Sequence, residues 1–534
     1  MPSAESRTHS RRSARCAFAA PVPHEPWDGV LNADEFGSPP PQPMRLTSSD
    51  EWLTVNVWTP DVGASALPVM VWLYGGRFTT GASDESDCEG RRLAAGGVVV
   101  VSLNYRVAGE GFMLIAGAMP NRGLLDQVAA LQWVHDNIAG FGGDPNNVTV
   151  FGESAGAASV AMLMVMPAAA GLFHRGIAQS VPNFLFGFDL AADVASVVAE
   201  RLGLRSTAGD HTGIPPQALA DATGGNEYQD RWGYPLAVRR SQFGPVIDGE
   251  ILPDSPFRAL VAGAGRGVDL LIGHNRDEYR YVVHENGGVV TAEQAERALD
   301  LLPPTPGGAQ TYRAAYPRAN HAELYELVCS DFVYRMPTLH IAQAHALGGG
   351  ATHLYEFCFD ASSFGAAHTT EIPLVFGTLD SPIGSALYGS APQAEAVSRE
   401  MSAAWRAFAT DGDPGWPAYE PTEQFTRVFD IGSRTVRYPE QASQQIWSDY
   451  PFDPFALSIE RGLVTERYPT PRRQPRPRTG RRSPESRAAR RRRKRSGRDR
   501  GYLLSDHWSG NSSARCSHWS DRTQGSPGCH PLRR

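Results

Sequence analysis

A chain of 534 residues with 41% hydrophobic and 20% charged side chains has globular composition and enough length to bury a large core. No run of about 18 apolar residues occurs, so the sequence offers no membrane-spanning helix. The net charge of −7 averages two unlike parts: residues 471–500 hold fifteen basic and two acidic side chains, or +13, which leaves −20 for everything else.

Residues 1–14 are polar and arginine-bearing and read as a disordered tail. Arg11 and Arg12 precede an apolar stretch, 16–22, that is too short for a signal peptide and is broken by Pro21. Residues 21–43 are proline-rich surface chain with Trp27 as an anchor. The alternating segment 53–58 (LTVNVW) predicts a strand. Segments 67–74 (LPVMVWLY) and 98–103 (VVVVSL) are apolar almost throughout, as central strands of a parallel sheet covered on both faces are. Residues 123–138 place Leu124, Val128, Leu131, Val134 and Ile138 at helical spacing. Residues 148–151 (VTVF) predict a strand and 157–166 a helix. Further strands are expected at 269–273, 352–359 and 427–430. Strands alternating with helices predict an α/β doubly wound fold, a central, mostly parallel twisted sheet flanked by helices.

Six cysteines, Cys16, Cys88, Cys329, Cys358, Cys516 and Cys529, fit neither a zinc site nor a dense disulfide framework. Cys329 and Cys358 lie in apolar surroundings and read as buried thiols. That favours a reducing, cytoplasmic compartment, with secretion as the alternative.

The densest chemical signal is Gly152-Glu153-Ser154-Ala155-Gly156 between the 148–151 strand and the helix after it. In a strand–turn–helix context, G-x-S-x-G is a nucleophile elbow: the turn lifts the serine hydroxyl clear of the sheet, and the glycines leave room where strand and helix approach. The helix N-terminus that follows favours negative charge developing at a bound carbonyl. Directly after the 67–74 strand, Gly75-Gly76-Arg77-Phe78 can turn backbone N–H groups toward one point, as acyl transfer requires; a plain strand-end turn is the competing reading.

Several segments occur in an order that resembles the type-B carboxylesterases, the cholinesterase-like α/β-hydrolases. They are Tyr74-Gly75-Gly76-Arg77-Phe78, Asn104-Tyr105-Arg106, Gly123-Leu124-Leu125-Asp126-Gln127, Asn137-Ile138, Phe141-Gly142-Gly143-Asp144-Pro145 and Phe151-Gly152-Glu153-Ser154-Ala155-Gly156. Pro245-Val246-Ile247-Asp248-Gly249, Gly273-His274-Asn275-Arg276-Asp277-Glu278 and Gly365-Ala366-Ala367-His368, running into Glu371-Ile372-Pro373, follow. The resemblance covers roughly residues 15–450. It implies the α/β-hydrolase fold and a triad of Ser154 as nucleophile, Glu278 as orienting acid and His368 as base, with the N–H groups of Gly76, Arg77 and Ala155 as oxyanion donors. Asp277 is the rival acid; His284 and His353 are the rival bases. It implies a small-molecule ester substrate and neither metal nor organic cofactor. Lactonase or thioesterase chemistry fits the same site. A catalytically weak interaction protein of hydrolase-like fold is the alternative.

The chain departs from the family pattern in three places. Arg77 stands where the family usually has Gly or Ala, which puts a long cation at the rim of the oxyanion hole; either it pairs with an acid or it bears on substrate choice. No N-terminal hairpin is recognisable before residue 15, which would leave an outer sheet edge unpaired. Trp52 stands at the family's loop cysteine, so that disulfide cannot form. Phe78, Trp232, Phe332 and Phe376 are either gorge lining or core, and Tyr334-Arg335-Met336-Pro337 resembles a structural helix start. The hydrolase body is expected over 15–465 and a disordered Arg/Pro/Ser-rich tail over 466–534. The basic run 490–495 has the chemistry to contact polyanions, although the balance favours a tail without a partner.

Overall fold

The computed structural model describes residues 4–7, 18–24, 28–29, 33–47, 49, 51–223, 231–389 and 391–457. The expected tail at 466–534, the Arg11–Arg12 pair, Trp27, Cys16, Cys516 and Cys529 lie outside the described residues. One body takes in residues 1–27 and 32–461; of the second group, 28–31 and 462–534, only Asp28 and Gly29 are described.

Ten strands make one sheet in the order β1-β2-β4-β3-β5-β6-β7-β8-β9-β10. They are β1 (Ala4–Arg7), β2 (Thr54–Trp58), β3 (Leu67–Leu73), β4 (Val99–Leu103), β5 (Gly143–Glu153), β6 (Arg175–Gln179), β7 (Asp269–Asn275), β8 (Thr352–Phe357), β9 (Phe425–Phe429) and β10 (Arg434–Arg437). From β4 through β9 every neighbouring pair is parallel; β1, β2 and β10 add antiparallel pairings at the two edges.

The period-two side-chain alternation of each central strand divides the core. Val69, Val71 and Leu73 of β3 join one apolar cluster with Leu124, Leu131 and Val134 of the helix Arg122–Asn137. Met70 and Trp72 of the same strand join a second cluster with Phe376, Trp405 and Phe408, the last two on the helix Pro392–Asp411. Both faces of β3 are therefore covered, which is why its sequence reads as a continuous apolar run.

The structure differs from the sequence expectations at several elements. Residues 4–7 are not unstructured: β1 pairs with β2, from Ala4 opposite Val57 to Arg7 opposite Thr54. The β2 edge is thus paired, although no hairpin is described there. The elbow helix runs Ala155–Leu163, starting earlier than predicted. β6 (RGIAQ) gave no strand signal because it is short and has a single β-branched residue, Ile177; a Cβ on Gly176 would lie 2.9 Å from Val160 Cγ1 of the elbow helix, so close packing selects glycine there. β10 (RTVR) is a half-exposed edge strand without an apolar face to betray it.

Candidate active site

β5 runs directly into Ser154, whose backbone takes φ 55° and ψ −122°, outside the ordinary wells of a non-glycine residue. The turn is tied at both sides: the Ser154 N–H donates to the Gln179 carbonyl of β6 at 2.9 Å, and its own carbonyl accepts the Ala158 N–H at 2.9 Å. The flanking glycines answer a steric demand. A Cβ on Gly156 would sit 2.0 Å from the Leu73 carbonyl oxygen at the end of β3, and one on Gly152 would sit 2.7 Å from that same oxygen. Strand and helix converge so tightly that only hydrogen fits, and the strained serine is the residue left between them.

The loops after β7 and β8 hold the candidate acid and the candidate base. β7 ends at Asn275, and its N–H donates to Glu278 Oε1 at 2.8 Å. Glu278 is fully buried, with its other oxygen 2.7 Å from His368 Nδ1 in the loop after β8. The His368 N–H also donates to the Glu278 carbonyl at 3.2 Å. The carboxylate therefore fixes both the imidazole tautomer and the ring's position. Asp277, the rival acid, is engaged elsewhere, with Arg276 at 2.9 Å, Arg280 at 2.8 Å and the Ala366 N–H at 3.2 Å. His353 bonds the Trp416 carbonyl, and His284 lies against the Phe364 ring.

His368 Nε2 does not hydrogen-bond Ser154 among the described contacts. It lies 3.0 Å from Oε1 of Glu153, the residue immediately before Ser154, in an approach too oblique for a hydrogen bond. The ring thus faces the elbow one residue short of the hydroxyl. Hydrogen bonds of this kind are often long or misaligned without substrate and tighten when it binds.

The strand-end loop after β3 lies against the elbow. A Cβ on Gly75 would stand 2.8 Å from Glu153 Oε2 and 3.2 Å from Ser154 Cβ, so the loop backbone passes beside Ser154 where no side chain fits. Gly76 (φ 105°), Arg77 (φ 60°) and Phe78 (φ 57°) continue it in left-handed backbone. A Cβ on Gly76 would meet the Thr80 carbonyl oxygen at 2.3 Å. No described residue accepts a hydrogen bond from the N–H of Gly76, Arg77 or Ala155. The Arg77 guanidinium has no ion pair among the described residues, so the acid-paired alternative finds no partner there. Its carbonyl is held instead, by the Ser241 hydroxyl at 2.8 Å.

Three residues escaped the sequence reading. Glu153 was visible only as the variable position of the G-x-S-x-G motif; burial, reinforced by Glu371, Glu278, Glu85 and Asp87, pushes its carboxyl well above the usual carboxylate range. Glu371 accepts from Asn275 Nδ2 at 2.7 Å and Gln179 Nε2 at 3.0 Å, which binds the β6 and β7 ends together. Tyr334 was assigned to a helix start; it stands on a π-helical turn, Asp331–Arg335, with its ring centroid 4.0 Å from that of His368. A π turn offsets a helix face by one residue, a signal that sequence spacing does not carry. Of the four aromatic candidates, Phe78 packs on Phe112, Phe376 on Trp72 and Phe332 near Trp447, while Trp232 Nε1 donates to Asp193. Among the described residues Glu85, Asp87 and Cys88 bring potential ligand atoms within 4.8 Å of one another. Burial pushes the Cys88 thiol up, away from the thiolate that a metal needs.

A sequence model described as the carboxylesterase family matches residues 13–447. The chain is 35% identical over 452 residues to the para-nitrobenzyl esterase of Bacillus subtilis (strain 168), a match spanning 80% of this chain and 91% of that protein. Among solved structures it is similar to the Geobacillus stearothermophilus carboxylesterase EST55 (TM-score 0.74, 32% identity, 83% of this chain and 96% of that one). It is also similar to a PNB esterase (TM-score 0.72, 34% identity, 80% and 92%).

Proposed function

The chain belongs to the carboxylesterase family and is a carboxylic ester hydrolase, and on that premise we propose that Ser154, His368 and Glu278 carry the reaction. His368 Nε2 removes the Ser154 proton as the hydroxyl oxygen attacks the ester carbonyl. The negative charge forming on the carbonyl oxygen is met by the N–H groups of Gly76, Arg77 and Ala155. The imidazolium returns its proton to the departing alcohol, which leaves an acyl-serine. Water deprotonated by His368 then attacks that acyl group, and the acid departs as Ser154 regains its proton. Glu278, held against Nδ1, stabilises the transient imidazolium.

The observation that carries this reading is the 2.7 Å Glu278–His368 contact at the ends of β7 and β8, facing a serine held in a strained turn at the end of β5. The substrate is a small-molecule ester. No helix of the described residues is long and apolar enough to cross a membrane, and the buried free thiols of Cys88, Cys329 and Cys358 support a reducing compartment. A fluorophosphonate probe tests the site. Labelling of the wild type and none of Ser154→Ala is expected; equal labelling of both removes Ser154 from its role.

A further inference from the structure

Aromatic rings meet histidines at several places in the body, and one contact differs from the rest. His211, His274, His284, His340 and His353 each stand edge-on to a neighbouring ring, at interplanar angles of 64–88° and centroid distances of 4.9–6.2 Å. Among the described residues only His368 lies face-on: Tyr334 is tilted by 32° to it, with the centroids 4.0 Å apart. Burial lowers the pKa of His274 to about 3 and that of His340 to about 4, and it lowers that of His353, so these edge-on rings stay neutral. The face-on ring covers the one histidine that the proposed reaction charges.

An aromatic ring is negative on its face and positive at its edge, so a cation over the face within about 6 Å of the centroid is stabilised. The π-helical turn Asp331–Arg335 already holds one such pair. The guanidinium of Arg239 is sealed, without a hydrogen-bond partner among the described residues, and its carbon lies 4.6 Å from the Phe332 centroid and 3.4 Å from that of Phe455. Burial lowers the Arg239 pKa to about 9, so a charge rests there on ring faces at neutral pH. Two residues on, Tyr334 is held for the same task. The Asp331 carboxyl group accepts from the Tyr312 hydroxyl at 2.7 Å, and Arg335 pairs with Glu440 at 2.9 Å. Arg335 also donates to the carbonyl of Arg276, two residues before Glu278, at 3.1 Å. One arginine thus ties together the carboxylate on the Nδ1 edge of His368 and the ring on its face. No described residue hydrogen-bonds the Tyr334 hydroxyl, and burial, then Glu278, raise its pKa, so the ring stays uncharged.

We propose that Tyr334 is a positioning residue for the base, and that its ring face favours the imidazolium form that His368 takes only during acyl transfer. The proposal rests on the Ser154–His368–Glu278 reading and adds a fourth residue to it. The neutral imidazole of the resting enzyme gains little from the negative face, and the charged one gains more. The stabilisation therefore falls on the transition state rather than on the free enzyme. Nε2, the atom that exchanges the proton, is left outside both the Glu278 and the Tyr334 contacts.

The test changes the charge on the ring face while keeping its shape. Tyr334→Phe leaves the face negative, Tyr334→pentafluorophenylalanine reverses it, and Tyr334→Leu removes the ring. Hydrolysis of para-nitrophenyl acetate is followed across the acid limb of the pH profile. The Phe variant should stay within about twofold of wild type. The pentafluoro variant should lose about three- to thirtyfold in kcat and kcat/KM alike, as an interaction made only in the transition state does. Its acid limb should move down by about half a pH unit or more, because a base whose charged form is disfavoured stays neutral to lower pH. Glu278 and Glu153, with Glu371 acting on both, face the imidazole, and Arg77 and Arg240 act on Tyr334. All five are the same in every variant, so the shift isolates the ring. A pentafluoro variant that matches the Phe variant in rate and acid limb overturns the proposal, and so does a Phe variant as slow as the Leu variant. With Ser154-dependent fluorophosphonate labelling intact in wild type, either result removes the Tyr334 role alone. A wild type that hydrolyses nothing and takes no fluorophosphonate overturns the serine-hydrolase reading beneath it.

Discussion

The two sides of Ser154 are built on opposite principles. On the side of β7 and β8, the polar groups interlock: Glu278 takes one hydrogen bond from Asn275 and one from His368, Asn275 reaches Glu371, and Glu371 reaches Gln179. On the side of the β3 loop, the polar groups stand open: three N–H groups without described acceptors and Arg77 without a described ion pair. The interlocked side holds its geometry before substrate arrives, and pre-organisation is what a proton-transfer pair requires. In the proposed reaction the open side is completed by what binds. A polar group left unsatisfied in a buried site is costly to the free protein, so its location marks where the ligand is expected to make its bonds.

The sharpest way to break this comparison is at the interlocked side. Glu278→Gln preserves shape but removes the charge that orients His368, and kcat should fall by about 10²–10⁴, measured on any para-nitrophenyl ester. A fall of less than about tenfold would mean that the pairing is structural. Next comes Asp277→Asn. Asp277 holds Arg276, Arg280 and the Ala366 N–H beside the base loop. We expect a loss of about 1–3 kcal/mol of stability in denaturant unfolding, with kcat reduced far less than by Glu278→Gln. If the order is reversed, Asp277 is the orienting acid.

On the open side, Arg77→Gly should raise kcat/KM on short neutral para-nitrophenyl esters by several-fold, on the order of 1 kcal/mol, because the long cation leaves the rim of the hole. Equal values for wild type and variant across the series would remove Arg77 from substrate choice.

The smallest effect concerns Glu153. Its folded-state pKa is raised above the ordinary 4.5, first by burial and then by the neighbouring carboxylates. The folded protein therefore keeps this proton where the unfolded chain has lost it, and the contribution disfavours folding progressively as pH rises above 4.5. Glu153→Gln removes that contribution. Thermal melts from pH 5 upward should show a shallower decline in Tm for the variant than for wild type; parallel curves would count against a protonated Glu153.

The sequence revealed the interlocked side better than the open one, and for a physical reason. Strand β3 with both faces apolar, the glycine-flanked serine and the motif around Glu278 are local patterns, and the ordered segments tied His368 to them. β6 was lost because its Gly176 is chosen by the helix above it rather than by strand preference. Glu153 and Tyr334 were in plain view but unread: what matters about them is a neighbour brought close by folding, an imidazole in both cases. Arg239 was one of two adjacent cations in Val238-Arg239-Arg240-Ser241. Only the fold separates Arg240, paired with Glu285, from Arg239, which has no described partner.

The three sheltered sulfhydryls at Cys88, Cys329 and Cys358 have a practical corollary. A native molecule should resist alkylation at these positions and surrender them only on opening. With Cys16, Cys516 and Cys529 replaced by serine, the pace of iodoacetamide uptake would time how often each layer of the body breathes. Cys329, in one apolar cluster, and Cys88, in the other, would then report whether a bound ester stills the molecule that cleaves it.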